Sequence, residues 1–429
     1  MKQEKRSGRG SFPRINGGKR PFSSVVKSRI SEMVAGFPYN VVVTDWEGNT
    51  YRFDGTKCHW CNRPFIMKLR TLQAGKAVIA KDGFRIMECF FEGDIDFEGN
   101  LYVFALLRAH AGMKLSRTMR LKKFLHATTF QDVNQSRVNV KSHYDIPQEV
   151  LDVYLDRVYM SYSCAMFEDP ENKDIPSLVK AGKGQDDKFD SLEKAQWRKY
   201  KDAVDFIDPR RGETLLDVGC GYGGQLVVAL ENYPLEKVVG WTHSENQVKL
   251  GGKHLRQFDE GSWELNEGDY RLDERVYDHV TSTGMISHVG PRGLVPYIRN
   301  IRRRIRKGGR YVHHAIMATY TGKSLNSYIG PMLNKAYVWP GFHWFTIGEH
   351  LKGLEENGFY VLKAVNLSHH YEKTTAAWYE RMMSEEGLLV EKLGQPTFRA
   401  WQQYLAGASG VIGAEVKGVQ VFRVYCEAL

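Results

Sequence analysis

The stretch LLDVGCGYGG at residues 215–224 joins a short apolar run to four glycines within six positions. A turn of this composition lets the backbone approach a ligand closely. The segments that follow alternate between helix-like and strand-like patterns, namely GGQLVVALENY, KVVGWT, ENQVKLGGKHL, DHVTSTG, LVPYIRNIRRRI and GGRYVHHAIM. Helices between short apolar strands predict parallel βαβ crossovers, so this half of the chain is predicted to form a doubly wound, Rossmann-like α/β sheet.

The glycine turn fits two spacings, GxGxxG at Gly219, Gly221 and Gly224, and GxGxG with Gly223 as its third glycine. A dinucleotide site requires an acidic residue at the end of the second strand, where this chain has Thr242. The turn also lacks the GK[ST] sequence of a phosphate-binding loop. A turn that only packs a helix against a strand is the simpler alternative.

Asp217 stands two residues before the first glycine. Its carboxylate would lie near the amino-acid end of a bound ligand. A sulfonium ligand with an ammonium group at that end requires a negative charge there. We therefore predict that the turn binds S-adenosylmethionine and that residues 143–429 form a class I methyltransferase domain. Asp269 in NEGDYR lies at the next switch position, where it either accepts a hydrogen bond from an adenine amine or is an ordinary turn residue.

The net charge of +10 is concentrated at the N-terminus. Residues 1–30 hold nine Lys or Arg and one acidic residue, whereas the other positions hold 51 basic and 49 acidic residues. A basic segment rich in Gly and Ser lacks the apolar surface to fold, so residues 1–37 are predicted to be a disordered tail. This tail either binds an anionic membrane surface or only aids solubility, and no nucleic-acid partner is predicted. Neither a signal peptide nor a membrane-spanning helix is predicted.

Residues 38–125 are predicted to form a smaller α+β domain. YNVVVTDWEGNTYRF is typical of a hairpin that turns at residues 47–49, and GFRIMECFFEGDIDFEGNLYVFALLRAH is predicted to be a strand followed by a helix. A basic linker at residues 126–142 follows. From HYDIPQEVLDVYL onward the pattern predicts helix as far as Ile207, interrupted by a polar loop at residues 171–190.

The six cysteines do not form the pattern of a disulfide framework. CHWC at residues 58–61 has the spacing of half a zinc site, but no second cysteine pair completes it, so no metal is predicted. A reduced, cytoplasmic protein fits this cysteine usage best.

Several ordered blocks carry a family resemblance, namely HYDIPQEVLDVYLD, MSYSCAMFED, LLDVGCGYGG, VVGWTHSENQ, GDYR, GMISHVGP, HHAI, LNKAYVWPG and HYEKTTAAWYERM. The chain resembles the cyclopropane-fatty-acyl-phospholipid synthases, S-adenosylmethionine-dependent enzymes that modify double bonds in lipid acyl chains. The module ending FFEGDIDFEGNLY resembles the N-terminal lipid-associated domain of that family. The resemblance implies unsaturated phospholipid acyl chains as substrate, a homodimer, and a peripheral location on the inner face of the membrane.

The resemblance also implies site residues of two kinds. Cofactor contacts are expected from Tyr144, Tyr162, Ser163, Gly219, Gly221, Thr242, Gln247 and Asp269. The active site of the family holds a bicarbonate ion with a Cys, a Glu, a His, a Tyr and a backbone group beside an Ile. Four of these positions are matched here by Cys164, His314, Tyr371 and Ile316. Ser287 stands where the family has its glutamate, which is a departure from the pattern.

An alkene has no proton to lose before methylation. The enzyme must therefore promote the transfer by holding the alkene and the sulfonium methyl in the reactive arrangement. Transfer leaves a carbocation, which requires a dry pocket, and Tyr371 and Trp378 are candidate aromatic faces for that charge. Removing a proton from the new methyl closes a cyclopropane, whereas removing one from a neighbouring chain carbon leaves a methylene or a shifted alkene. Because Ser287 removes a charge-assisted acceptor, we favour methyl branching over ring closure, with both kept open.

Two further segments and several histidines have more than one interpretation. YIRNIRRRIRKGG predicts either an interfacial basic helix or an outer helix of the sheet, and YIGPMLNKAYVWPGFHWF is predicted to be a lid over the acyl pocket. At least one of His313 and His314 is predicted to be structural, and His288 and His370 are either scaffold or catalytic. The competing functions are a lipid-binding protein whose catalytic apparatus has decayed and a small-molecule N-methyltransferase.

Overall fold

The computed structural model describes residues 22–55, 64–99, 101–113, 147–168, 191–319, 343–412 and 419–429. Tyr144, the CHWC motif, the linker at 126–142 and the polar loop at 171–190 lie outside these ranges, as do residues 328–342 of the segment predicted to be a lid.

The first structural unit is a four-stranded sheet with the strand order β2-β1-β3-β4, packed against helices. Its strands are β1 (Val41–Thr44), β2 (Thr50–Phe53), β3 (Phe65–Leu69) and β4 (Ile95–Glu98). Its helices are α1 (Phe22–Val34), α2 (Leu72–Ile79), α3 (Gly83–Glu92) and α4 (Leu101–His110). Strands β1 and β2 pair antiparallel, which confirms the predicted hairpin.

Two predictions for this unit are wrong. GFRIMECFFE forms helix α3 rather than a strand, because Asp82 caps its N-terminus by accepting from Phe84 N and Arg85 N. Helix α1 lies inside the segment predicted to be a disordered tail. The apolar residues Val26 and Ile30 recur at helical spacing and are buried in the core of the unit, which outweighs the high charge of the surrounding sequence.

The second unit contains a seven-stranded sheet with the order β10-β11-β9-β8-β5-β6-β7. Its strands are β5 (Thr214–Val218), β6 (Lys237–Thr242), β7 (Trp263–Glu267), β8 (His279–Thr283), β9 (Arg310–Ala318), β10 (Phe359–Asn366) and β11 (Val419–Ala428). The strands from β9 to β7 run parallel, and β11 pairs antiparallel with both β9 and β10. This sheet confirms the predicted doubly wound α/β fold.

Helices cover this sheet and extend beyond it. They are α5 (Gln148–Tyr154), α6 (Leu192–Ile207), α7 (Gly224–Asn232), α8 (Glu245–Leu255), α9 (Leu294–Arg304), α10 (Ile347–Glu356), α11 (Ser368–Ser384), α12 (Glu386–Leu393) and α13 (Gln395–Ile412), with single 3₁₀ turns at Glu260–Ser262, Tyr270–Leu272 and Ile286–His288. None of the helices within the described ranges has both the length and the apolar character required to cross a membrane.

Helix α13 joins the two units. Its Ala400 and Ala406 are buried in the core of the first unit, whereas Phe398 and Leu405 are buried in the core of the second. Arg399 of the same helix donates to Phe90 O at 2.7 Å and pairs with Asp96 at 2.6 Å. Helix α13 therefore contributes to both cores, and Tyr102 Oη of α4 adds a hydrogen bond to Glu372 of α11 at 3.3 Å.

Helix α9 contains most of the basic segment for which two structures were predicted. Its Ile298 and Ile301 are buried against the sheet. Arg302 donates to Gly358 O at 3.1 Å and to Ile305 O at 3.2 Å, and Arg306 pairs with Asp278 at 3.0 Å. The structure therefore favours the outer helix of the sheet over a free interfacial helix.

The seven-stranded sheet provides one test of acid stability at Glu213, just before β5. Arg210 N and His279 Nε2 lie 2.7 Å and 2.9 Å from its carboxylate. Burial works to raise the pKa of Glu213, but these hydrogen bonds and the charges of His279 and Arg306 lower it to about 2. The stabilisation by this carboxylate is therefore full above its ordinary pKa near 4.5 and is lost as the pH falls through about 2.

We expect Glu213→Gln to lower the free energy of unfolding by about 2 kcal/mol at pH 7, and the deficit to shrink as the pH falls toward 2. Urea unfolding of both proteins across this pH range measures the difference. The exposed Glu260 offers a matched control, since Glu260→Gln should leave the free energy of unfolding unchanged across this pH range. A deficit for Glu213→Gln that does not change with pH would contradict the assignment.

Candidate active site

A cavity of about 180 Å³ lies at the carboxyl ends of the parallel strands. In sheets of this kind, ligands bind where the strand order reverses, which here is between β5 and β8. The predicted site residues that line the cavity are Tyr162, Ser163, Cys164, Asp217, Gly219, Gly221, Thr242, Gln247, Asp269, Ser287, His314, Ile316 and Tyr371. One chamber thus brings together the residues expected to hold the cofactor and those expected around the reacting atoms.

The glycine turn after β5 forms one wall of the cavity. Gly219 has a φ of 77°, and a Cβ there would lie 2.7 Å from the side chain of Met285. Gly221 has a φ of 56°, and a Cβ there would meet no heavy atom within 4 Å, so the backbone borders open space. Gly223 does not line the cavity and instead caps the N-terminus of α7, so its predicted cofactor contact is absent from this geometry.

Asp217 is the last but one residue of β5 and is 3% exposed. Thr281 Oγ1 of the neighbouring strand donates to its carboxylate at 2.8 Å. Burial raises the pKa of Asp217 to about 7. A buried carboxylate of this kind is stabilised in its charged form by an opposite charge, which an ammonium group in the cavity would supply.

Polar side chains that end β6, follow β7 or lie on α8 form the next part of the same wall. Thr242 Oγ1 donates to Gln247 Oε1 at 2.5 Å. Burial works to raise the pKa of Asp269, but hydrogen bonds from Arg271 and the charges of Arg271 and His243 lower it. Although Arg271 already pairs with this carboxylate at 2.6 Å, a carboxylate accepts about four hydrogen bonds, so acceptor capacity remains.

Residues 155–168 are irregular rather than helical as predicted, and they carry Tyr162, Ser163 and Cys164 to the cavity. The Asp156 carboxylate accepts from Tyr159 N and Ser161 N, both at 2.6 Å, and so stabilises a turn in place of a helix.

Cys164 is buried, with its Sγ 3.3 Å from Ala165 O and 3.8 Å from Leu367 O. Burial raises the pKa of Cys164 to about 12, so this residue is a neutral thiol at pH 7 and not a thiolate nucleophile. A neutral thiol can make only weak polar contacts in the cavity.

His314 on β9 is 2% exposed, and neither of its ring nitrogens has a hydrogen-bond partner among the described residues. Burial lowers the pKa of His314 well below its ordinary value, and the nearby charges of Arg423 and Lys199 lower it further. Buried polar atoms are nearly always hydrogen-bonded, so two unpartnered nitrogens on a cavity wall fit a ligand with polar atoms.

The adjacent histidine has a different environment. His313 Nδ1 lies 3.0 Å from Tyr311 Oη, and its Nε2 lies 3.0 Å from His350 Nδ1. These bonds confirm that one histidine of the pair is structural.

His370 is also part of the scaffold, since its Nδ1 accepts from Phe167 N at 3.0 Å. His288 lines the cavity, and burial lowers its pKa to about 4.

Aromatic rings form the apolar part of the wall. Tyr162, Tyr371, Tyr404 and Trp344 line the cavity. Trp378 does not line it, so its prediction as a face for positive charge is wrong. Its indole instead stacks on Tyr162, with the ring centroids 5.1 Å apart, and meets Tyr371 edge-on at 6.1 Å. Trp378 thus holds the two tyrosines in place from behind.

Sequence reasoning missed a buried lysine next to the cavity. Lys199 on α6 is fully buried, and burial lowers its pKa to about 7. It lies on the same helical stripe as the buried Leu192, Ala195 and Ala203. A lysine at a core position of an amphipathic helix was the signal available in the sequence.

The sheet order and the glycine turn define a class I methyltransferase fold. The structure of the mycolic acid cyclopropane synthase CmaA1, complexed with SAH and CTAB, matches with a TM-score of 0.60 at 24% identity, covering 68% of this chain and 98% of that one. The family model for mycolic acid cyclopropane synthetase matches residues 131–422. The chain belongs to this family, which confirms the resemblance seen in its motifs.

The chain is also similar to several named proteins, two of them from bacteria. A probable fatty acid methyltransferase of Pseudomonas putida is 32% identical over 276 residues, covering 63% of this chain and 64% of that protein. The cyclopropane-fatty-acyl-phospholipid synthase of Escherichia coli K12 is 28% identical over 284 residues, covering 66% of each chain. The matched region thus spans slightly less than two thirds of the length of these relatives.

Proposed function

We propose that the protein transfers the methyl group of S-adenosylmethionine to the double bond of unsaturated acyl chains in membrane phospholipids. The observation that carries this proposal is a single cavity that joins the glycine turn and Asp217 to Cys164, His314 and Tyr371. The names of the two relatives support an acyl substrate.

The wall around β5 fits the cofactor. S-adenosylmethionine supplies an electrophilic methyl group on a charged sulfur when it is bound. Gly221 leaves space for a ligand to lie against the backbone, and Asp217 provides the negative charge for an ammonium group. Thr242, Gln247 and Asp269 contribute polar atoms further along the same wall.

The other wall fits the reacting alkene. The rings of Tyr162, Tyr371 and Tyr404 line it, and aromatic faces attract positive charge by about 0.5–2 kcal/mol each. These rings also limit the access of water, which would trap the carbocation left on the acyl chain. The tyrosines thus favour the charge distribution that follows methyl transfer.

The group around His314 fits a small anion such as bicarbonate. Its two ring nitrogens lack partners among the described residues, and the nearby charges of Arg423 and Lys199 act on this histidine. Cys164, Tyr371 and the backbone at Ile316 are the other residues that would hold the ion. Bicarbonate would supply a proton acceptor there when it is bound.

Ser287 is the residue most relevant to whether the product is a methylene branch or a cyclopropane. It lies on the 3₁₀ turn Ile286–His288 and lines the cavity, in the position where the resemblance implies a glutamate. Without that carboxylate, the proton acceptor is held by fewer charge-assisted contacts. We therefore propose a methylene-branched product ahead of a cyclopropane.

Access to acyl chains requires contact with a membrane. We include in the proposal a peripheral location at an anionic membrane surface on its cytoplasmic side, and a homodimer. The nine basic residues in positions 1–30 support the first of these, since each basic residue near an anionic surface adds about 1 kcal/mol of attraction.

The test uses purified protein, S-adenosylmethionine and vesicles of monounsaturated phospholipid. A mass gain of one CH₂ in the acyl chains is the expected result, with vinylic methylene signals in the proton NMR spectrum. Upfield ring protons alone would contradict the proposed product. Cofactor binding without lipid turnover would indicate a lipid-binding protein, and methylation of amines without lipid turnover would indicate an N-methyltransferase.

Restoring the carboxylate tests the role of Ser287. We expect Ser287→Glu to shift the product from the methylene toward the ring, because the new carboxylate is a charge-assisted acceptor in the same cavity as His314. Ser287→Gln has the same length without the charge and serves as the matched control. The ratio of vinylic to ring signals measures the shift, and an unchanged ratio in Ser287→Glu would contradict the role assigned to this position.

A further inference from the structure

The buried Lys199 has three hydrogen-bond partners, all of them neutral. Its Nζ donates to Ser161 Oγ, to Ser163 Oγ at 2.9 Å and to Gln196 Oε1 at 2.8 Å. The charge of Asp156 acts on it, but no carboxylate of the described residues forms an ion pair with it. Burial lowers the pKa of Lys199 to about 7, so the ammonium form predominates below that pH, and these three bonds use all three of its donor hydrogens.

The bonds determine where the serine protons point. Ser161 Oγ accepts from Lys199 and from Tyr200 Oη at 2.9 Å, which occupies both of its lone pairs. Its own proton is therefore donated to Ser163 Oγ, 3.2 Å away. Ser163 Oγ then accepts from both Lys199 and Ser161, and its single proton is left over.

Ser163 lines the cavity, so the remaining proton is available to a ligand there. Gln196 also holds the backbone of this residue, since its Nε2 donates to Ser163 O at 3.0 Å. Both ends of the Gln196 amide are thus used, one on Lys199 and one on Ser163. The result is a rigid hydroxyl that can only donate toward the cavity.

We propose that Lys199 is a positioning residue that makes Ser163 an obligate hydrogen-bond donor to the carboxylate at the amino-acid end of the cofactor. This inference rests on the proposed function through its cofactor. Asp217, which lines the same cavity, provides the opposite charge for the ammonium at that end. The charges of Asp156 and Asp217 already favour the ammonium of Lys199, and a cofactor carboxylate near Ser163 would add a further counter-charge.

The test compares two ligands by isothermal titration calorimetry. S-adenosylhomocysteine carries the amino-acid end, and 5′-methylthioadenosine has the same nucleoside and thioether without it. We expect Lys199→Met and Ser163→Ala each to weaken binding of S-adenosylhomocysteine about tenfold and to leave binding of 5′-methylthioadenosine unchanged. Because Lys199 acts through Ser163, the double variant should lose no more than either single variant.

The outcomes separate the inference from the proposed function. Wild-type protein that binds neither ligand would overturn the proposed cofactor, and the inference with it. Equal losses for both ligands, or additive losses in the double variant, would overturn the inference alone and leave Lys199 a purely structural residue. If Lys199→Met does not fold, Lys199→Gln is the second variant, and unchanged S-adenosylhomocysteine affinity in Ser163→Ala also overturns the inference.

Discussion

Replacing His314 by phenylalanine is expected to reduce methyl transfer to lipid by about 10²–10⁴-fold without destabilising the protein. The reduction follows if the imidazole positions the group that accepts the proton. The variant should keep its stability because the ring nitrogens of His314 have no partner among the described residues, so no hydrogen bond to these residues is lost. Burying a polar atom without a partner costs about 1–3 kcal/mol, so an apolar ring here should leave the free energy of unfolding equal or higher.

His313 is the matched control, one residue earlier on the same strand. His313→Phe removes bonds to Tyr311 and His350 and leaves both partners without these bonds. It should lower the free energy of unfolding by about 1–3 kcal/mol and retain turnover per folded molecule. Urea unfolding and the vesicle assay measure the two quantities. Wild-type turnover in His314→Phe would remove this histidine from the reaction.

The second large effect is expected at Asp217. Asp217→Asn should weaken S-adenosylhomocysteine binding by about 10²–10³-fold, since it removes one charge of a buried ion pair with the ligand ammonium. The amide oxygen of the variant can still accept from Thr281, so the fold should be retained. Binding of 5′-methylthioadenosine, which has no ammonium, should be unaffected.

The pH dependence gives a separate signature of this carboxylate. Burial raises the pKa of Asp217 to about 7 in the free protein, so below pH 7 the group must lose a proton before it can pair with an ammonium. Wild-type affinity should therefore fall by up to about tenfold for each pH unit below 7. Asp217→Asn should lack this acid-side loss. Titrations between pH 5 and 7 test this, and identical slopes in both proteins would contradict it. Burial also brings the pKa of Lys199 to about 7, but this group loses its proton on the alkaline side.

Elements were predicted correctly from the sequence where the residues within one segment determine the structure. The glycine turn after β5 was predicted because its backbone conformation, with a φ of 77° at Gly219, is one that glycine adopts readily. The alternation of strands and helices was correct for β5 and β6, which are short and apolar and are followed by helices α7 and α8. Strand β7, with the polar sequence WELNE, was not predicted.

Segments with two competing signals were misassigned. The run before Gly93 contains aromatic and β-branched residues typical of a strand, yet the Asp82 cap and burial on one face make it a helix. The basic residues around Val26 indicated disorder, but a core was available for the apolar stripe of α1. The Asp82 cap is local and was present in the sequence, whereas the burial of both helices depends on partners distant in the sequence.

The sequence by itself determined the fold class, the position of the glycine turn and the family, because these depend on spacing within short motifs. Only the tertiary structure decided which side chains face the cavity. It placed Trp378 behind two tyrosines, left His314 without a partner among the described residues while its neighbour is bonded on both sides, and brought Lys199 against Ser163 from another segment. The physical reason is that burial and hydrogen-bond saturation are properties of packed surroundings, which form only when segments far apart in the chain come together.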